Sequence, residues 1–470
     1  MNYSPAYYNW TEFNGQFLLT NDTGRYCFLS KDEFYDFVEG RLTSESETFI
    51  LLQQSGFIYH NRDAYISMFR DDLAGMKRCL SIATQLIILV LTDSCNQRCV
   101  YCQAGEVHTS KMSVDICRKA IDLAVQSPVS HMTIEFQGGE PTLNPDALRF
   151  TVPYARKVFA EHGKHVDFAI VSNLTSIDPE LFRWLITQDV HISTSLDGSR
   201  NVHEYNRPLA VNKSSYDAWH EGVALYKELC EECGKNSVLS AIQTTTRKSL
   251  AYPAEIVDEY ISNGMTNLYV RPLTPLGCAR ENWDSIGYTP EEYVKFYCRM
   301  LDYMMEKCRQ GIHVAEATAS LYLKRILHGE SVGHTEFRSP CGGAVGQIAV
   351  NYDGNIYTCD EGRMLANMGD SIFRLGTVED TYRELMQSPA AHAVCTASCV
   401  EALPVCSECV YSPYCAVCPV VTYGLEGDLL HRDEHSYRCV IAKGILSHLF
   451  RIIQRNELEK MAILQQWAKR

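Results

Sequence analysis

Six short apolar runs alternate with helical segments between residues 84 and 310, and this alternation restricts the fold more than any other feature of the chain. The runs cover residues 87–91, 132–136, 168–171, 192–196, 238–242 and 268–270. Strands joined through helices lie parallel, and right-handed crossovers wind them in one direction. The pattern therefore predicts an α/β fold built on a partial (β/α)6 TIM-like barrel. Each run is followed by polar or glycine-rich residues, which puts candidate functional groups on the loops at the C-terminal strand ends.

The flanks read differently. Phe17-Leu18-Leu19 and Tyr26-Cys27-Phe28-Leu29 enclose Asn21-Asp22-Thr23-Gly24, a hairpin signal. Ser30 with Glu33, and Ser44 with Glu47, form two capping boxes that each open a helix. Residues 1–80 are thus expected to be a small α+β module ahead of the barrel at 84–310. Residues 311–338 read as a linker, 339–445 as a cysteine-rich domain and 446–470 as a core-packing helix. The net charge of −14 speaks against a nucleic-acid partner. No secretory pattern opens the chain, and no apolar run approaches the roughly 20 residues of a membrane span, so a cytoplasmic protein without a membrane partner is expected. Twenty cysteines in such a chain point to metal binding rather than to disulfides.

The thiols are grouped. Cys95, Cys99 and Cys102 follow the first apolar run in the order C-x3-C-x2-C, with Tyr101 before the third. Three thiolates this close can hold three corners of a [4Fe-4S] cube and leave its fourth iron open. A zinc site is the competing reading, but zinc wants four closed ligands, and nearby only His108 could add one. The second run leads into Gln137-Gly138-Gly139-Glu140-Pro141, and the fourth into Ser195-Leu196-Asp197-Gly198 and His203-Glu204-Tyr205-Asn206-Arg207. Together these motifs resemble the radical S-adenosylmethionine (SAM) superfamily. The resemblance implies that the open iron takes the amino and carboxylate groups of SAM, and that one electron cleaves SAM to methionine and a 5'-deoxyadenosyl radical. That radical then abstracts hydrogen from a substrate. The resemblance also implies roles for single residues. Gly138, Gly139 and Glu140 would hold the SAM amino group, Ser195 and Arg207 its ribose and carboxylate, Tyr101 would pack on adenine, and Leu268 would touch the nucleoside. An arginine suits a carboxylate because its planar fork bonds two oxygens at once.

From residue 339 onward the thiols recur as Cys341, then Cys359 five positions after Gly354, then Cys406-x2-Cys409-x5-Cys415-x2-Cys418, and Cys439. Alone, paired C-x2-C groups read as a zinc ribbon. Behind the triad they resemble the SPASM extension, which implies two auxiliary [4Fe-4S] clusters and three clusters in all. Cys406, Cys409, Cys415 and Cys439 would hold the outer one, and Cys341, Cys359 and Cys418 the inner one. The spacing from Cys415 to Cys418 is one residue short of the family pattern, and residues 342–348 contain no cysteine. Cys399, or less readily Cys395, is then the candidate fourth inner ligand, the alternative being an iron left open for substrate. Asp360 stands where sulfatase-maturing relatives carry a proton-removing aspartate, and a carboxylate there is a candidate general base. The remaining cysteines, Cys278 among them, are expected as small buried hydrophobes.

The function implied is that of a peptide maturase. Such an enzyme abstracts hydrogen from a residue of a ribosomally made precursor peptide, with a crosslink the expected product and a flavodoxin or ferredoxin the electron donor. The arrangement is similar to the maturase of the His-Xaa-Ser peptide system, and residues 1–80 resemble winged-helix elements that bind a leader peptide by strand addition. Two other functions compete. One is a serine or cysteine oxidase of the sulfatase-maturing type, which needs Asp360. The other is a non-catalytic zinc or iron–sulfur peptide scaffold, which leaves the residues around Gly138, Ser195 and Arg207 without a purpose. Crosslinking, thioether formation, epimerisation and oxidation all begin with the same hydrogen abstraction, so the sequence does not name the bond formed.

Overall fold

The computed structural model describes residues 3–105, 109–431 and 433–469, so His108 lies outside the described residues. In chain order the first elements are β1 (Ser4–Pro5), β2 (Asn9–Phe13), β3 (Gln16–Thr20), β4 (Tyr26–Leu29), α1 (Lys31–Val38), α2 (Glu47–Gln54), β5 (Ile58–Tyr59) and α3 (Arg62–Met76). The expected hairpin is β3–β4, and β2 adds to it as a third antiparallel strand. β2 is hard to read in the sequence because Asn9, Thr11 and Glu12 interrupt its apolar pattern. Ser30 and Glu33 form their capping box. The second helix is capped by Ser46 rather than Ser44, its hydroxyl accepting from the Phe49 amide at 3.2 Å, because a turn from Thr43 to Ser46 delays the helix start.

The six apolar runs become β6 (Leu86–Val90), β7 (His131–Gln137), β8 (His165–Val171), β9 (Val190–Ser195), β10 (Ser240–Thr244) and β11 (Asn267–Arg271). They are followed by β12 (Ala315–Glu316), β13 (Gln347–Val350), β14 (Asn355–Tyr357) and β15 (Arg374–Thr377). All ten form one sheet in the order β12-β11-β10-β9-β8-β7-β6-β13-β14-β15. Strands β6 to β12 lie side by side in chain order and parallel, as helical crossovers require. β13 joins β6 in parallel, and β14 and β15 continue antiparallel. The ends of the sheet do not pair, so the barrel is partial and open. Residues 311–338 are not a linker, since they supply β12 and the helix Ala317–His328.

The two-residue period of each strand decides which residues see the barrel interior. Along β7, Met132, Ile134 and Phe136 are fully buried on one face, while Thr133, Glu135 and Gln137 occupy the other. On β11 the same period sets Leu268 and Val270 apart from Tyr269 and Arg271.

The N-terminal module lies against the cysteine-rich segment. The Asn9 side-chain amide donates to the carbonyls of Ser407 at 3.1 Å and Cys409 at 3.3 Å, and the Thr20 hydroxyl to that of Val410 at 2.8 Å. From the other side, the Tyr414 hydroxyl donates to the Gly24 carbonyl at 2.9 Å. The single helix expected at 446–470 is instead two, Tyr437–Arg455 and Leu458–Trp467. They break at Asn456, whose φ of 50° is left-handed, a region asparagine enters more easily than most residues. Among the described residues no helix is long and apolar enough to cross a membrane.

Candidate active site

A cavity of about 650 Å³ opens at the C-terminal strand ends. The triad thiols Cys95, Cys99 and Cys102 line it together with Tyr101, Gly138, Gly139, Ser195, Arg207 and Asp360. Residues scattered over more than 260 positions of sequence thus meet in one place, as the strand-end rule requires.

The glycine pair holds the cysteine loop. The Gly139 amide donates to the Thr92 carbonyl at 2.8 Å and the Glu140 amide to the Ser94 carbonyl at 2.7 Å. A Cβ on Gly138 would stand 2.2 Å from the Thr92 oxygen, one on Gly139 2.2 Å from the Ser94 oxygen, and Gly138 has a φ of 148°. The close approach that glycine permits is therefore made first to the chain itself.

Glu140 departs from expectation. It is 1% exposed and does not line the cavity. Its carboxylate accepts from the Thr142 hydroxyl at 2.7 Å, the Ser172 hydroxyl at 3.0 Å and the Asn173 amide at 2.8 Å. Burial pushes this carboxyl up, and those donors oppose the shift. Glu140 thus ties the loop after β7 to the loop after β8, where the Asn173 side-chain amide stands 3.9 Å from the Cys95 sulfur. Leu268 is a second correction: it is fully buried on the face of β11 that does not line the cavity, and Arg271 reaches the cavity instead.

Asp197, fully buried, gathers the second motif. One carboxylate oxygen accepts from the Tyr101 hydroxyl at 2.7 Å and the Asn206 amide at 3.0 Å, and lies 3.1 Å from Arg207 Nε. The other accepts from the Thr244 backbone at 3.1 Å. The Arg207 guanidinium also sits 5.3 Å from the centre of the Tyr101 ring. Both side chains are thereby held in place in advance, which lowers the ordering cost of binding.

Sequence reasoning missed Asp197, Asn173, Arg271 and Cys278 as parts of this site. Asn173 and Arg271 stand just past or at the C-terminal ends of β8 and β11, a position that could have flagged them. Cys278 lines the cavity rather than the core, and its amide donates to the Cys102 carbonyl at 2.9 Å. Asp360 accepts from Arg363 Nε at 2.8 Å, on a helix whose N-cap is Cys359.

The C-terminal thiols form two further groups. Cys341, Cys359 and Cys418 meet in an apolar cluster with Leu276, Leu365, Phe373, Val394 and Val420. Cys406, Cys415 and Cys439 line a cavity of about 140 Å³ that Cys418 reaches as well, with Cys409 beside Cys415 and Cys439. Cys399 does not join the inner group. Its thiol donates to the Cys395 carbonyl at 3.3 Å and lies beside Glu401 and Lys77, whereas Ser398 reaches Cys341, accepting its amide at 2.8 Å.

The donor sets fit iron–sulfur clusters. In each group a backbone amide points at a sulfur: Gln97 at Cys95, Gly343 at Cys341, Gly362 at Cys359 and Tyr411 at Cys409, all at 3.4 Å. Such hydrogen bonds suit cluster-bound thiolates and tune them. Burial pushes Cys99 and Cys415 up to about 12, and Cys95, Cys418 and Cys439 up to about 11, so these thiols ionise near neutral pH only if a bound cation offsets the cost. Among the described residues no trio of Cys, His, Asp or Glu closes on a single-ion site. A cube spreads its ligands over four irons.

Residues 89–242 match the radical SAM superfamily. The chain carries a radical SAM domain. Proteins of this superfamily use a [4Fe-4S] cluster and SAM, and the chain is an enzyme. It is 22% identical over 324 residues to the cysteine-type anaerobic sulfatase-maturating enzyme of Clostridium perfringens, covering 65% of this chain and 81% of that one. Native anSMEcpe with bound AdoMet shares the fold with a TM-score of 0.66 at 20% identity, over 79% of this chain and 98% of that one. Streptococcus suis SuiB bound to precursor peptide SuiA shares it with a TM-score of 0.54 at 13% identity, over 92% of this chain and 99% of that one. The matched residues run from the end of β6 into β10 and include the triad and the motifs that follow β7 and β9.

Proposed function

We propose that this enzyme abstracts a hydrogen atom from a residue of a ribosomally made precursor peptide and leaves a crosslink in it. The observation that carries the reading is that the triad thiols, the Gly138-Gly139 loop, Arg207 and Asp360 share one cavity of about 650 Å³, within the usual range of ligand sites. When bound, a [4Fe-4S] cluster on the triad with SAM supplies the 5'-deoxyadenosyl radical, and two auxiliary clusters on the C-terminal thiols supply electron transfer.

The chain's own residues do the remaining work. Gly138 and Gly139 set the height of the cysteine loop, Asp197 holds Arg207 and Tyr101 ready for SAM, and Ser195 offers a hydroxyl at the end of β9. Joining two residues removes two hydrogens from the peptide, one as an atom and the other as a proton and an electron. In this reading Asp360, whose carboxylate accepts from Arg363, takes the proton. A floppy substrate also needs holding away from the reacting residue. Among the described residues β4 pairs on one side only, and its other edge can take a leader segment as an added strand. The likeness to precursor-bound SuiB over 92% of this chain supports a peptide substrate. A flavodoxin or ferredoxin is the electron donor in this reading.

Anaerobic reconstitution with SAM, a reductant and a precursor peptide encoded nearby tests it. The expected products are 5'-deoxyadenosine and a peptide lighter by two hydrogens that carries no aldehyde. A hydrazide-reactive aldehyde would instead establish oxidation of a serine or cysteine, the reading favoured by the sulfatase-maturating relative. Tightly bound zinc without iron would leave only a peptide-binding scaffold.

A further inference from the structure

We propose that Gln97 is a positioning residue of the triad cluster, its side-chain N–H donating to the Cys99 sulfur, an assignment that rests on the triad as that cluster's ligands. Gln97 stands between two of the thiols and meets both. Its backbone amide donates to the Cys95 sulfur at 3.4 Å, and the Cys99 thiol donates to its side-chain Oε1 at 3.6 Å. The residue is 3% exposed and lines the cavity of about 650 Å³. Among the described residues its Nε2 is buried without a hydrogen-bond partner. A donor left so is costly, because it has given up water and gained nothing.

The loop does not need this amide to hold its shape. Gln97 pairs through its backbone with Leu209, its carbonyl accepts from Arg98 Nη1 at 2.8 Å, and the Arg98 amide donates to the Pro208 carbonyl at 2.8 Å. A leucine would fill the same buried space and orphan no donor. The amide suits the loaded site better than the empty one. With iron bound, the Cys99 sulfur has no proton to give and acts only as an acceptor, so Oε1 beside it would set two acceptors against each other. The two ends of an amide have nearly the same shape, and a half-turn about the last side-chain bond puts Nε2 where Oε1 now stands. The orphan donor and the electron-rich sulfur then satisfy each other. Gln97 thus donates at two of the triad sulfurs, once through its backbone and once through its side chain. Such hydrogen bonds favour the reduced, more negative cluster and raise its potential.

The test compares Gln97→Leu, which keeps the bulk, with Gln97→Glu, which keeps the shape; both remove the donor. In the reconstituted full chain the triad cluster is identified as the EPR signal that Cys95→Ala, Cys99→Ala, Cys102→Ala lacks. Redox titration of that signal should show Gln97→Leu reduced about 59 mV lower than the parent, tenfold in the reduction equilibrium, and Gln97→Glu lower still. The other signals should not move. A merely structural glutamine would change iron content or Tm and leave the potential of the loaded cluster where it was, so an unchanged or higher potential in either variant overturns the assignment. Should neither variant load its triad, ENDOR of the reduced parent with ¹⁵N in its glutamine side chains decides: a ¹⁵N coupling on the triad signal is expected, and its absence overturns the proposal. Survival of every EPR signal in the triple variant would instead remove the triad as a ligand set, and the role of Gln97 with it.

Discussion

The triad and the C-terminal thiols place the same donor atom in opposite surroundings. Cys95, Cys99 and Cys102 share one short loop, are half-buried, and face a cavity of about 650 Å³. The other set is drawn from residues between Cys341 and Cys439 and closes around an apolar cluster and a space of about 140 Å³. The thiols that face the open cavity are carried by one stretch of chain, pinned from behind by the backbone of Gly139 and Glu140. The C-terminal thiols are instead brought together by packing distant segments, with the N-terminal module against the segment around Cys409.

The sharpest test of that contrast is the triple substitution Cys95→Ala, Cys99→Ala, Cys102→Ala. It should lower 5'-deoxyadenosine formation by at least about a thousandfold, to background, while removing only about four of the irons. SAM cleavage by a variant without triad iron would break the comparison outright. Next comes Gly139→Ala, whose added methyl meets the Ser94 carbonyl at 2.2 Å, where backbone must move. SAM cleavage should fall by about a hundredfold, a barrier of some 2.7 kcal/mol. The matching change among the C-terminal thiols, Gly343→Ala, first meets the Val394 side chain at 3.3 Å and should cost far less.

Asn9→Ala probes the cover over the outer thiols. Losing its hydrogen bonds to the Ser407 and Cys409 carbonyls should cost about 1–2 kcal/mol and speed iron loss to a chelator, with the triad iron unaffected. Because the module packs there, deleting residues 1–80 would not isolate leader binding from cluster stability; a leaderless precursor is the cleaner probe. Tyr101→Phe removes only the hydroxyl that donates to Asp197, and should weaken SAM binding by about fivefold.

The smallest effect is on pH. Burial pushes the Glu316 carboxyl up to about 7, so the native chain holds that proton more tightly than the unfolded one. Its contribution to stability is complete below 4.5, its ordinary value, and is lost as pH rises through about 7. Glu316→Gln should therefore flatten the anaerobic Tm between pH 4.5 and about 7, the window set by that shift. An unchanged slope would place the titration elsewhere.

Much of the molecule was legible without coordinates, for a physical reason. Strand alternation, the Ser30 cap and thiol spacing are local properties, and each is written within a few residues. That was enough to predict a partial barrel of parallel strands and the β3–β4 hairpin. The errors fall where the answer depends on which loops meet. Glu140 turns into the protein because the loop after β8 brings Ser172 and the Asn173 amide to it. Leu268 faces away because strand register, invisible in spacing, gives Arg271 the cavity. Cys399 was the expected fourth inner ligand, yet its neighbour Ser398 is the residue that touches Cys341. The sequence by itself determined which elements form and which chemistry the thiols can support. Only the tertiary structure decided which side chains share the cavity, because hydrogen bonds such as those to Asp197 join residues nearly a hundred positions apart, and no local pattern encodes such a meeting.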